Sequence, residues 1–338
     1  MRCDIIIPVW NQLEYTRDCV TSIINNTDDV DYGVVIIDNA SDGQTRMYLD
    51  SLVTGAGSRF RVIRKECNVG FVKAVNEGMR ISGAPYVCVL NNDTLVTKGW
   101  LKEMLDIAGS RKDIGLVNPS SNNLGQRPSE GESVDLFAQR LKAESGNSIE
   151  LGAAIGFCML IKKELIDRIG YFDEVYGMGN FEDTDYSRRS IKEGYRCVRA
   201  CGAYVCHREG SSFKKIGTYE EDFKRNREIF EFRWGKPKRL AYIIEPSGNN
   251  VIRRIGEESL KLAREGNWVW YFSDLQIDGP LHSNIIYKEG PMGYLHRRAL
   301  FTILKKKKKF DIIFVGDEKI AAILNALRFL HKAKVEYY

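Results

Sequence analysis

The sequence predicts an α/β protein: a mostly parallel, twisted sheet with helices on both faces, followed by a second, smaller α/β domain. Three observations carry this. Apolar, β-branched runs of strand length alternate with segments of helical spacing through residues 4–90. Each of those runs ends in a polar cluster: Trp10-Asn11, Asp38-Asn39, Asn68 with Gly70, and Asn91-Asn92-Asp93. The chain, at 338 residues, is too long for one small domain. Phe232-Arg233-Trp234-Gly235-Lys236-Pro237-Lys238-Arg239 marks the boundary, giving domains at 1–235 and 240–338.

The elements follow in order. Residues 4–9 are a buried strand, and 14–24 a helix carrying Cys19, Val20, Ile23 and Ile24. Residues 34–37 form a second strand that runs into Asp38-Asn39-Ala40-Ser41-Asp42-Gly43. A short strand at 61–63, a helix at 71–81 with Val72, Val75 and Met79 on one face, and a strand at 86–90 complete the alternation. Residues 115–150, rich in Ser, Asn, Gly and Pro, read as a long loop bordering a site. Order returns with a strand at 157–161 and a helix at 163–169 closed by Gly170. An acidic helix then ends near Gly194, and a strand at 204–206 delivers His207. Past the boundary come strands at 240–244, 268–272, 284–287, 311–315 and 335–338, with helices at 251–264 and 320–330. This pattern predicts a small Rossmann-like domain of ordinary size. Its turn Glu245-Pro246-Ser247-Gly248-Asn249 could bind an anion at a helix start, without a full phosphate-binding fingerprint.

Composition narrows the classes. The 43% hydrophobic content supports sizeable cores, and Met1-Arg2-Cys3-Asp4 leads straight into a strand with no signal-peptide pattern. No apolar run reaches membrane-spanning length. Eight scattered cysteines suit a reducing cytosol rather than a disulfide framework. Cys197, Cys201, Cys206 and His207 lack the paired short Cys knuckle of a zinc site, so buried strand thiols are expected. The +5 charge permits anionic partners, such as nucleotide phosphates or a lipid surface, without demanding them, and no nucleic acid is expected. The five lysines at 305–309 read first as a solvated helix end that complements the dipole, and second as a membrane-surface patch.

Two clusters carry the chemistry. In Gly179-Asn180-Phe181-Glu182-Asp183-Thr184-Asp185-Tyr186 three carboxylates fall within four positions. They repel one another, and the free N–H groups and dipole of a helix start offset part of that cost. In Val89-Leu90-Asn91-Asn92-Asp93-Thr94 a polar triplet follows an apolar strand. Ligands of open α/β sheets bind at the carboxyl ends of strands, and a carboxylate there can hold a divalent cation against a nucleoside diphosphate. Asn, Asp and Gly dominate turns in any protein. Four such clusters at one end of one sheet nevertheless point to a nucleotide cleft.

Residues 3–235 resemble a family 2 glycosyltransferase with the GT-A fold. The resemblance rests on Ile5-Ile6-Ile7-Pro8-Val9-Trp10-Asn11, Val35-Ile36-Ile37-Asp38-Asn39-Ala40-Ser41-Asp42, Asn68-Val69-Gly70-Phe71 with Asn76, Leu90-Asn91-Asn92-Asp93-Thr94, and Phe181-Glu182-Asp183-Thr184-Asp185, all in the family's order. His207-Arg208-Glu209-Gly210-Ser211-Ser212 resembles the segment of the rhamnosyl- and galactofuranosyl-transferase-like branch, where a His follows the acidic helix.

The resemblance implies an inverting, metal-dependent transfer of a sugar from a nucleotide-diphosphate donor (UDP, dTDP or GDP) to a hydroxyl of a glycan or lipid-linked glycan, in cell-surface polysaccharide synthesis. Pro8, Trp10 and Asn11 would border the nucleoside, Asp38 would accept from the base N–H, and Asn39 and Asn68 would lie nearby. Gly70, Asn76, Asn91, Asn92, Glu182 and Asp185 complete the implied binding set. Asp93 and His207 would hold Mn²⁺ or Mg²⁺, and Asp183 would be the general base. Asn91 stands where many relatives have Asp, and an amide ligates a cation less strongly than a carboxylate. A GT-A-like sugar nucleotidyltransferase would need a Gly- and Arg/Lys-rich loop after the first strand, which Pro8-Val9-Trp10-Asn11 is not. A catalytically silent glycan- or nucleotide-binding module would not require Asp93 together with Asp183. The expected location is the cytoplasm, with peripheral contact at the inner face of the membrane.

Overall fold

A computed structural model describes residues 1–55, 59–208, 219–245, 249–274, 277, 279–290, 300–305 and 307–338. The segment at 209–212, most of the turn at 245–249, Arg297, Arg298 and Lys306 lie outside the described residues. The chain divides into two units. One is Met1–Ile149 with Ala153–Trp234, and the other is Glu150–Gly152 with Gly235–Tyr338.

The strands of the first unit are β1 (Arg2–Val9), β2 (Asp31–Asp38), β3 (Phe60–Arg64), β4 (Tyr86–Leu90), β5 (Thr94–Val96), β6 (Ile114–Ser120), β7 (Ser148–Leu151), β8 (Cys158–Lys162) and β9 (Arg196–His207). They form a mixed sheet in the order β3-β2-β1-β4-β8-β6-β9-β5, with β7 beside β9. The β3-β2-β1-β4 half is parallel, and β8 and β5 run antiparallel to their neighbours. Alternation along β1 explains the layering. Cys3, Ile5, Ile7 and Val9 join the core with Cys19, Val20 and Ile23 of the helix Leu13–Asn26 and with Trp100, Leu101 and Met104 of Trp100–Ser110. Ile6 faces the other way, onto the helix Phe71–Ile81, so closely that a Cβ at Gly78 would collide with it.

Several expectations need correction. Residues 115–150 are not a loop, because β6, a helix at Val134–Leu141 and β7 run through them. Every residue of β6 is buried, and its polar members are paired. Asn118 Nδ2 donates to the carbonyls of Ile155 and Cys158 at 2.8 and 2.5 Å, and Ser120 Oγ donates to that of Cys201 at 3.1 Å. A strand holding Asn, Pro and Ser was illegible because its partners lie far along the chain. The turn-like run after Asp38 instead opens the helix Gly43–Gly55, with Asp42 Oδ1 accepting Thr45 N–H at 2.8 Å as its cap. The helix Trp100–Ser110 was not anticipated, and β9 is far longer than residues 204–206.

The second unit is a parallel five-stranded sheet of β10 (Arg239–Ile244), β11 (Trp268–Ser273), β12 (Ile285–Glu289), β13 (Ile312–Val315) and β14 (Lys334–Tyr337). Its order β12-β11-β10-β13-β14 is the doubly wound, Rossmann-like one. Leu240, Tyr242 and Ile244 pack with Ile255 and Ala263 of the helix Asn249–Arg264. Ala241 and Ile243 pack on the opposite face with Ile320, Ala321 and Leu324 of Glu318–Ala326. The predicted helix at 320–330 is therefore two, broken at Leu327 before Arg328–His331. Among the described residues no helix is long and apolar enough to cross a membrane.

Candidate active site

A cavity of about 260 Å³ opens at the carboxyl ends of β1, β2 and β4. Pro8, Val9 and Trp10 line it from β1, Asn39 from the end of β2, and Asn91, Asn92 and Asp93 from the end of β4. Asn68, Phe71, Met178, Asn180, Glu182, Asp183 and His207 close the remaining sides. Trp10 keeps 37% of its surface exposed, an apolar face available to stack on a flat ligand.

Side-chain amides knit the rim together. Asn39 N–H donates to the Val9 carbonyl at 2.7 Å, while its side chain donates to Asn68 Oδ1 at 2.7 Å and accepts from Val69 N–H at 2.8 Å. One residue thus ties three loops. Left-handed backbone is concentrated here: Asn11, Gln12, Ala40, Asn180 and Phe181 all have φ between 57° and 73°. Each such non-glycine residue costs on the order of 1–3 kcal/mol and persists only where its surroundings over-determine it. For Asn180 and Phe181 the constraint is the fully buried Asn226, whose Nδ2 donates to the carbonyls of Tyr176 and Gly179 at 2.9 and 2.8 Å. Phe181 in turn packs against Phe223 and Phe230.

Asp93 and His207, 114 residues apart, meet at 3.0 Å between Oδ1 and Nε2. The antiparallel pairing of β5 with β9, which sets Thr94 opposite His207, brings them together. Asn91 Oδ1 is buried beside them on the wall with no hydrogen-bond partner. A carboxylate, an imidazole and an orphaned amide oxygen suit a hard divalent cation that takes its remaining ligands from phosphate oxygens. Among the described residues no group of three or more His, Cys, Asp or Glu forms a closed metal cage.

The acidic helix Glu182–Lys192 begins at the opposite wall. Asp183 Oδ2 accepts from Gly156 N–H at 2.9 Å, and Oδ1 accepts from Thr184 N–H and Oγ1–H at 2.6 and 3.1 Å. Burial raises its pKa above the usual carboxylate range, and these donors oppose the rise. Glu182 is 5% exposed, and its Oε2 has no hydrogen-bond partner. Burial, reinforced by the neighbouring Asp183 charge, pushes Glu182 well up. Of the two carboxyls, Asp183 is the one whose charged form the surroundings stabilise, through the N–H groups of Gly156 and Thr184 and the Thr184 hydroxyl.

Other sequence-predicted residues fall off the wall. Asp185 is 1% exposed and turned away, 200° round the helix from Asp183. Its carboxylate is consumed by Arg189 Nε and Trp234 Nε1, each at 2.9 Å, so it anchors the helix rather than binding substrate. Asn76 is likewise buried, pinning Phe172 by donating to its carbonyl and accepting from its N–H at 2.9 and 3.0 Å. Asn11 braces the rim by accepting from Asp42 N–H at 2.7 Å. Gly70, at φ 88°, allows a close backbone approach, since a Cβ there would meet the Gly177 carbonyl oxygen at 2.8 Å. Asp38 is fully buried behind the wall. Its Oδ1 accepts from Ser41 N–H at 2.9 Å, and its Oδ2 has no hydrogen bond, with Arg64 Nε 3.3 Å away.

Wall residues that sequence reasoning missed are Phe71, Asn123, Ile155, Gly156, Phe157, Met178 and Asn180. Gly156 and Phe157 carry no local signal, and their role arises from packing against Asp183 and His207. Asn123 sits in the Ser- and Asn-rich stretch, and its contact with His207 crosses 84 residues of chain.

Comparison with known proteins follows the same outline. The model of the family described as Glycosyl transferase family 2 matches residues 4–170. The uncharacterised protein y4gI of Sinorhizobium fredii is 25% identical over 252 residues, 68% of this chain and 27% of its own. The glycosyltransferase AglE of Haloferax volcanii is 23% identical over 207 residues, 60% of this chain and 66% of its own. The mannosyltransferase PcManGT of Pyrobaculum calidifontis, solved in complex with GDP-Man and Mn²⁺, shares the fold. Its TM-score is 0.51 at 18% identity, over 69% of this chain and 62% of its own. The chain spans less than two thirds of the length of each of these proteins.

Proposed function

We propose, from the premise that residues 4–170 place this chain in glycosyl transferase family 2, that it transfers a sugar from a nucleoside-diphosphate donor to an acceptor hydroxyl with inversion at the anomeric carbon. The single observation that carries the reading is the meeting of Asp93 with His207 on the same cavity wall system as Asp183, at the carboxyl ends of parallel strands.

Trp10 stacks on the base and Asn39 and Asn68 border the ribose, while Asp38, fully buried behind the wall, shapes the turn at the end of β2 through Ser41 rather than meeting the base. Asp93 and His207, with Asn91 and Asn92 beside them, would hold a divalent cation, Mn²⁺ or Mg²⁺. The chemistry such a cation supplies is neutralisation of the departing nucleoside diphosphate. AglE is a glycosyltransferase by name and PcManGT was solved with GDP-Man and Mn²⁺, which supports a nucleotide-sugar donor and a divalent ion for this chain too. Asp183 accepts the acceptor hydroxyl proton as the oxygen attacks the anomeric carbon and the bond to phosphate breaks on the opposite face. Glu182, on the same wall as Asp183, helps bind the donor sugar. The acceptor is a glycan or a lipid-linked glycan of the cell surface, met at the cytoplasmic face of the membrane.

The test is a panel of UDP-, dTDP- and GDP-sugars incubated with and without Mn²⁺. Nucleoside diphosphate release is measured, and the anomeric configuration of the product is read by NMR. Retention of configuration, or no turnover and no nucleotide binding across the panel, would overturn the proposal.

A further inference from the structure

Four residues fix His207 at the end of β9. Asn122 clamps its backbone: Oδ1 accepts from His207 N–H at 2.8 Å, and Nδ2 donates to the His207 carbonyl at 2.7 Å. Phe157 stacks on the ring with centroids 5.3 Å apart and planes 21° from parallel. The two ring nitrogens then meet one partner each. Nε2 lies 3.0 Å from Asp93 Oδ1, and Nδ1 lies 2.6 Å from Asn123 Nδ2. Asn123 belongs to the short turn Asn122–Leu124, and its own Oδ1 is buried with no hydrogen-bond partner.

A neutral imidazole carries one N–H, and which ring nitrogen bears it depends on the groups that face the two nitrogens. Asp93 Oδ1 faces Nε2, and the Asn123 amide, which holds both a donor and an acceptor, faces Nδ1. A ligating Nε2 needs its lone pair free, which requires the hydrogen on Nδ1 and an acceptor facing it. Asn123 already contains that acceptor. A half-turn of its planar amide exchanges Nδ2 for Oδ1, an alternative the broad two-fold torsion of an amide allows. The buried, orphaned oxygen thereby gains the partner it lacks.

We propose that Asn123 is the positioning residue of the cation site: its amide, seated against Nδ1, supplies the oxygen that accepts Nδ1–H, so that Nε2 faces the cation. The inference rests on the reading of Asp93 and His207 as cation ligands.

The experiment uses the full chain and Mn²⁺ as probe, titrated with UDP and separately with GDP. Bound Mn²⁺ is followed by loss of the free-ion electron paramagnetic resonance signal, and each variant's melting temperature is recorded without metal. Asn123→Ala should bind Mn²⁺ about 10–100-fold more weakly, the usual cost of losing a residue that orients a ligand. Asn123→Asp, which can only accept, should keep Mn²⁺ affinity at or above wild type. If Asn123→Ala stays within about twofold of wild type, or if Asn123→Asp is as weak as Asn123→Ala while both melt normally, Asn123 is merely a prop and the inference falls alone. If the wild-type chain binds no Mn²⁺ with either nucleotide, the cation reading fails and takes the inference with it.

Discussion

Replacing Asp183 by Asn tests the proposed base most directly, because the two side chains are nearly isosteric. The structure sets two separate magnitudes. Both carboxylate oxygens are engaged, Oδ2 by Gly156 N–H at 2.9 Å and Oδ1 by Thr184 N–H at 2.6 Å. An amide must turn its NH₂ toward one of these donors, so one hydrogen bond becomes a donor–donor contact. That costs about 1–3 kcal/mol of stability, which for a unit of this size lowers the melting temperature on the order of 5 °C. Loss of a general base costs about 10²–10⁴ in rate, equivalent to roughly 3–5 kcal/mol on the barrier. The catalytic effect therefore exceeds the stability effect, and a variant still folded at the assay temperature reports on chemistry. Donor affinity should hardly change, since Asp183 takes its proton from the acceptor. The assay pairs nucleoside diphosphate release with calorimetric titration of the donor. Because burial raises Asp183 above the ordinary 3.8, the wild-type acid limb should lie above that value, with activity lost as pH falls through it, and the variant should lack that limb. A variant keeping more than about half of wild-type turnover would remove Asp183 from this role. A Kd that rises in step with the rate loss would make it a donor-binding residue instead.

Glu182→Gln should raise the melting temperature at pH 8. Burial lifts Glu182 well above its ordinary 4.5, so its contribution to stability is full below that pH and is lost as pH rises through the folded-state value. The gain should vanish below about pH 4.5, and an equal gain at all pH would show that charge is not its source. Chelation should stop turnover and Mn²⁺ restore it, while Asp93→Ala and His207→Ala should each weaken metal-dependent nucleoside diphosphate binding; activity that survives exhaustive EDTA assigns the pair to direct phosphate contact. Asn226→Ala strips the donor from two buried carbonyls and should cost on the order of 2–4 kcal/mol in a denaturant titration, with KM for the donor rising more than kcat falls. An unchanged denaturation midpoint would mean that the loop at 176–181 is held by other contacts.

The sequence by itself determined the parts of the molecule whose physics is local. The short apolar runs at 4–9 and 86–90, and the helical spacing of 71–81, reappear in β1, β4 and Phe71–Ile81, because such patterns are set by residues a few positions apart. The polar punctuation at strand ends likewise located Trp10, Asn39, Asn68 and Asp93, since parallel strands deliver their carboxyl ends to one edge. Only the tertiary structure decided which polar residues face the cavity. Asp185 and Asp183 are two positions apart and chemically identical. One is spent on Arg189, a turn further along the same helix, and on Trp234 of a distant helix, while the other lines the wall. Asn76 looked like a binding residue for the same reason that Asn123 did not: an amide's role depends on whether its partner is a buried backbone group or the ring of His207. The strand β6, with its Asn, Pro and Ser, shows the same limit. Its polar atoms are tolerated only because carbonyls more than thirty residues away accept from them, a pairing that exists once the sheet has formed.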